Sequence, residues 1–121
     1  MCRHFLRRDI DWRGLRLRKR TKDFLTYMSE RPYNPKIEYI VLFGSEARGE
    51  AVLTSDVDIA VVSAAPLSRA ERLSVDLADS DASFDDVNYR IIYTLLKDLD
   101  TSDKMNVNYY IKREGVVIYA R

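Results

Sequence analysis

The 121-residue sequence contains one cysteine, Cys2, and one histidine, His4. An internal disulfide is therefore impossible, a Cys/His zinc site has too few ligands, and the thiol count fits a cytosolic chain. Glycine and proline are scarce, four and three, and there is no low-complexity tract, which excludes fibrous and disordered classes. Long apolar runs are missing as well. Residues 39–43 and 59–62 fall far short of the roughly 20 needed to cross a bilayer, and the basic N-terminus has no apolar stretch of the signal-peptide kind. The expectation is a cytoplasmic protein with no membrane partner. What is present, 46% apolar and 32% charged residues, suits one globular domain, since domains cluster near roughly 100–150 residues.

The formal charge of +1 hides an asymmetry. Residues 1–22 carry nine Lys/Arg against two Asp, a net of +7, and residues 23–121 carry eleven against seventeen, a net of −6. This divides the chain into a basic N-terminal arm, 1–22, and a single domain, 23–121. Such an arm attracts polyanions through counterion release, making weak nucleic-acid contact one reading. A solvated arm or helix face that offsets the acidic body is the simpler one. Trp12 is placed to dock the arm, and Cys2 and His4 within it have no catalytic neighbours.

Periodicity gives the coarse layout. Leu17, Thr21, Phe24, Leu25 and Met28 fall on one helical face, and this helix ends near Glu30 because Pro32 and Pro35 follow. Ile37–Phe43, β-branched and aromatic, reads as a strand buried on both faces and stopped by Gly44. A second strand is expected over 56–62. Ser68 with Glu71 forms a capping box for a helix whose inner face is Ala70, Leu73 and Leu77. Residues 87–93 form a third strand. Thr101 or Ser102 caps a last helix through Val107, Tyr110 and Ile111, Gly115 stops it, and 116–119 is a terminal strand. Alternating strands and helices imply an α/β (α+β) domain, a mixed β-sheet with helices packed against it.

Chemistry concentrates in two segments, residues 41–49 and 55–61. The first ends a buried strand in Gly44-Ser45 at a helix N-terminus, where free N–H groups and small residues make a phosphate cradle. In the second, Asp56 and Asp58 lie two apart on a strand, so both carboxylates face one side and suit a hard cation such as Mg²⁺ or Mn²⁺. A metal beside a polyphosphate is what phosphoryl-type transfer requires.

This combination resembles the DNA polymerase β-like nucleotidyltransferase superfamily: a hydrophobic strand, Gly-Ser, a short helix, then Asp-x-Asp on the next strand. Gly44-Ser45-Glu46-Ala47-Arg48-Gly49 with Ser55-Asp56-Val57-Asp58 is most similar to the minimal nucleotidyltransferases that partner helical HEPN proteins in toxin–antitoxin pairs. The resemblance covers residues 37–62 closely and the later elements more loosely. It implies a polymerase β-like fold, in which Gly44 and Ser45 hold the β/γ-phosphates of a nucleoside triphosphate, ATP by default. Asp56 and Asp58 would be catalytic and bind the metal. Arg48 would approach the triphosphate, or else pair with Glu46 or Glu50 on the surface. Ser55 is read as capping the turn before Asp56.

Such enzymes place a third carboxylate on a neighbouring strand. Alternation puts Asp86, Asn88 and Arg90 on one face of the third strand, so the matching position is Asn88 or Arg90. Asn88 has a carbonyl ligand and no basicity, Arg90 repels a metal and suits phosphate, and only Asp86 or Asp85 restores a carboxylate. The leading expectation is transfer of a nucleoside monophosphate to a hydroxyl. The alternatives are a catalytically degenerate antitoxin or binding module of a HEPN-type pair, and nucleic-acid binding through the arm.

Overall fold

Val41, Phe43, Ala60 and Val62 project to one side of a sheet, and Ile40, Leu42, Ile59 and Val61 to the other; all are buried. Two-sided burial explains why these segments read as continuous apolar runs. The computed structural model describes residues 11–15, 17–50, 56–77 and 87–121. In order, the elements are a 3-10 turn at Trp12–Gly14, α1 (Lys19–Ser29), β1 (Ile37–Phe43), α2 (Ser45–Arg48), β2 (Val57–Ser63), α3 (Arg69–Leu77), β3 (Tyr89–Leu95), a 3-10 turn at Leu96–Leu99, α4 (Val107–Glu114) and β4 (Val116–Ala120). The sheet order is β3-β2-β1-β4. β1 runs antiparallel to both β2 and β4, and β2 runs parallel to β3, so the sheet is mixed as expected.

On one face, Phe24, Leu25 and Met28 of α1 and Val75 of α3 pack with Ile40, Leu42, Ile59 and Val61. Phe24 stacks on Tyr89 with ring centroids 4.9 Å apart. Trp12 is 3% exposed and belongs to this core, although it lies in the basic N-terminal stretch. Leu99 and Ile111 cover the other face. Among the described residues no helix is long and apolar enough to cross a membrane.

Two expectations are corrected. The inner face of α3 is formed by Val75 and Glu71; Ala70 is exposed and Leu73 is 44% exposed, and the side chain of Leu77 lies outside the described residues. Polar anchoring sets this rotation. Glu71 accepts hydrogen bonds from the Ser68 backbone N–H (2.7 Å), Asn34 Nδ2 (2.7 Å) and Lys36 Nζ (3.0 Å), which turns its side of the helix towards the end of α1 and the start of β1. The helix α4 starts later than read: Asn106 caps it, accepting from the Asn108 N–H at 2.9 Å. Thr101 is spent on a preceding turn, where its hydroxyl accepts from the Asp103 N–H. Gly115 does end α4, donating to the Ile111 carbonyl.

The capping box fixes a pH dependence. The Ser68 backbone N–H, and after it Lys36, hold the Glu71 carboxyl down at about 2, against an ordinary value of 4.5. A depressed carboxylate stabilises fully above its unfolded value, and that stabilisation is lost as pH falls from about 4.5 towards 2. Denaturant unfolding of the wild type and Glu71→Gln should show a constant stability gap above about pH 5.5 that narrows below about pH 4.5 and closes near pH 2. A gap independent of pH would contradict the assignment.

Candidate active site

The antiparallel pairing of β1 with β2 sets Phe43 opposite Asp58, so the residue after β1, Gly44, lies beside that carboxylate. Gly44 has φ 77° and ψ −156°, a region open to glycine and strained for other residues. A β-carbon there would stand 2.3 Å from Oδ2 of Asp58 and 3.2 Å from its Cγ. The carboxylate therefore fills the space that any other side chain at 44 would need. Gly44 also turns the chain into α2, whose first-turn N–H groups, Ser45 among them, have no intrahelical partners.

Of the expected metal ligands, Asp58 lies in β2 with its side chain 14% exposed, and Asp56 is exposed one residue before that strand. On the neighbouring strand, Arg90 is the residue in register with Asp58. Its Nε and Nη2 both contact Oδ1 of Asp58, at 3.1 and 2.9 Å. Asn88 is exposed, and its carbonyl accepts the Val57 N–H at 2.8 Å. Asp85, Asp86 and Ser55 lie outside the described residues. No cluster of three His, Cys, Asp or Glu suited to a metal occurs among the described residues. Of the two carboxylates, Asp58 lies against the Gly44 turn, and Asp56 is exposed at the entry to the same strand.

Arg48 pairs with Glu50 at 2.8 Å and with Glu114 of α4 at 2.9 Å. Glu50 first and Glu114 second raise its already high pKa. Its guanidinium is committed to two carboxylates, so it ties α2 to α4. The expected partner Glu46 is elsewhere: it is 2% exposed, and its Oε1 accepts from Arg18 Nε (2.7 Å) and Thr21 Oγ1 (3.2 Å), with Arg18 Nη2 closing an ion pair. Sequence reasoning missed this anchor. The available signal was Thr21, a polar residue on the apolar face of α1, opposite a one-turn helix that must bury something. Other basic residues of the N-terminal stretch also meet carboxylates of the chain itself: Arg13 with Asp11, and Lys19 and Arg20 with Asp23.

The family described as "Polymerase beta, Nucleotidyltransferase" matches residues 28–121. The chain belongs to this nucleotidyltransferase family. Its fold is also that of solved toxin–antitoxin structures. One, described as a toxin-antitoxin with AMP-PNP, is 22% identical with a TM-score of 0.52, the alignment covering 86% of this chain and 75% of that one. A point mutant of the MntA-HpeT toxin-antitoxin is 23% identical with a TM-score of 0.50, covering 88% and 75%. The tri-AMPylated Shewanella oneidensis HEPN toxin in complex with MNT antitoxin gives 20% identity, 84% and 71% coverage and a TM-score of 0.48. No curated protein matches the sequence.

Four variants have defined costs in stability. Gly49, at φ 72° with open space around its Cα, should tolerate alanine at about 1–2 kcal/mol, the left-handed backbone strain alone. Gly44→Ala adds a collision with Asp58 and should cost about 3 kcal/mol or more in denaturant unfolding. Arg18→Ala should cost about 3 kcal/mol, because it leaves the Glu46 carboxylate buried and uncompensated. The double variant Arg18→Met/Glu46→Leu should recover much of that loss.

Proposed function

We propose that this chain is a nucleotidyltransferase that binds a nucleoside triphosphate, ATP by default, with Mg²⁺ or Mn²⁺, and transfers a nucleoside monophosphate to a hydroxyl. The observation that carries the reading is the Asp58 carboxylate packed against Gly44 where β1 turns into α2. Asp58 and Asp56 would hold the metal, which when bound neutralises phosphate charge and lowers the pKa of an attacking hydroxyl. Gly44 lets the backbone come close to the polyphosphate, and the N–H groups at Ser45 suit its β- and γ-oxygens. In the transfer, the acceptor oxygen bonds to the α-phosphorus, the bond from that phosphorus to the bridging oxygen breaks, and pyrophosphate leaves. The hydroxyl proton passes to solvent, since neither Asn88 nor Arg90 is a base. Arg48 is assigned to the α2–α4 contact and outside the ligand set.

The likeness to toxin–antitoxin structures, one of them with AMP-PNP, supports a toxin-type protein as partner, which in this reading is a helical HEPN-type protein and the acceptor. The Arg90–Asp58 pair favours a second reading, an antitoxin that binds its partner and nucleotide without transferring anything. Nucleic-acid binding through residues 1–22 gains no support, because four of the described cations there face carboxylates of the chain.

Incubation with α-labelled ATP, Mg²⁺ and a HEPN-type partner tests the reading. Label should pass to the partner, and Asp56→Asn/Asp58→Asn should lower the rate at least a hundredfold. Metal-dependent nucleotide binding without transfer would establish the second reading, and neither binding nor transfer would remove both.

A further inference from the structure

We propose that Arg90 is a built-in cation of the nucleotide site, taking the place of a second metal, so that the site holds one divalent ion and the arginine itself contacts the polyphosphate; this rests on the nucleotide reading above. The register fixes where the charge sits. Arg90 is level with Asp58 on the adjacent parallel strand, and both of its contacts fall on Oδ1. Oδ2 is the oxygen that lies over Gly44. Asp58 is thus divided: one oxygen is held by the guanidinium, and the other is presented to the turn where the phosphates would lie. That is the arrangement of a carboxylate with a single oxygen to offer a metal.

The free oxygens decide the count of ions. Asp58 would need both carboxylate oxygens to bridge two ions, and Oδ1 is taken by the guanidinium, which leaves Oδ2 for one. A second ion would stand next to the guanidinium and be repelled by it. Arg90 supplies some of what a second ion would supply. The guanidinium is always charged and has five N–H donors in a planar fork that fits phosphate oxygens. Only Nε and Nη2 are engaged with Asp58, the remaining donors have no partner among the described residues, and the side chain is 62% exposed. Its free edge therefore lies at the surface, open to an incoming phosphate and anchored at the other edge by the metal-binding carboxylate.

Electron paramagnetic resonance counting of bound Mn²⁺ on the full chain, with saturating non-hydrolysable ATP analogue, tests this. Calorimetry of the analogue accompanies it, and circular dichroism monitors folding. The wild type should bind one Mn²⁺. Arg90→Asp, which supplies a third carboxylate, should bind two. Arg90→Gln should still bind one, with affinity for the analogue at least tenfold weaker. Two Mn²⁺ on the wild type, an unchanged count in Arg90→Asp, or undiminished analogue affinity in Arg90→Gln would each overturn the proposal while leaving the nucleotide reading standing. A wild type that binds neither Mn²⁺ nor the analogue would overturn both.

Discussion

The contact of the Asp58 carboxylate with Gly44 is the constraint on which the rest of the site depends. It exists because β1 and β2 pair with Phe43 opposite Asp58 and because position 44 carries no side chain. A one-residue slip of β2 against β1 would send Asp58 to the opposite face, into the core that α1 and α3 cover, where a carboxylate has no partner. Close packing on both sides opposes the slip, since β2 would have to exchange its two core faces. Packing energy spread through the sheet thus fixes a single polar contact at its end.

The parallel pairing of β2 with β3 adds the second feature. Register places Arg90 beside Asp58, and the guanidinium contacts Oδ1 of that carboxylate while Oδ2 lies over Gly44. The Glu46 anchor works from the other side. Helix α2 is one turn long and cannot hold its own orientation, because helix nucleation costs more than a single turn returns. The buried Glu46, tied to Arg18 and Thr21, fastens it to the segment that leads into α1. The residues that fasten it lie before residue 28, where the family match begins.

Much of this was legible in the sequence, and the reasons differ by element. The two central strands, β1 and β2, were readable because they are buried on both sides, and Gly44 marks the end of the first. The capping box was readable because Ser68 and Glu71 act within one turn. The face of α3 was misread: Leu73 has the right spacing, but the bonds of Glu71 to Asn34 and Lys36, distant in sequence, set the helix rotation. The start of α4 was misread because several residues between 101 and 106 can cap, and turn geometry chose Asn106. Asn88 and Arg90 were both left open for the third-strand position; choosing between them needed the β2–β3 register, which no local pattern encodes. Glu46 was hidden for a related reason, since a charged residue on a short helix reads as surface until its partner is known.

The most direct measurement is anomalous diffraction at the manganese edge from crystals of the chain grown with Mn²⁺ and a non-hydrolysable ATP analogue. The account predicts one manganese peak bonded to Oδ2 of Asp58 and to Asp56, with the triphosphate along the Gly44-Ser45 turn. Nucleotide bound at another surface, with no metal at Asp58, would contradict it.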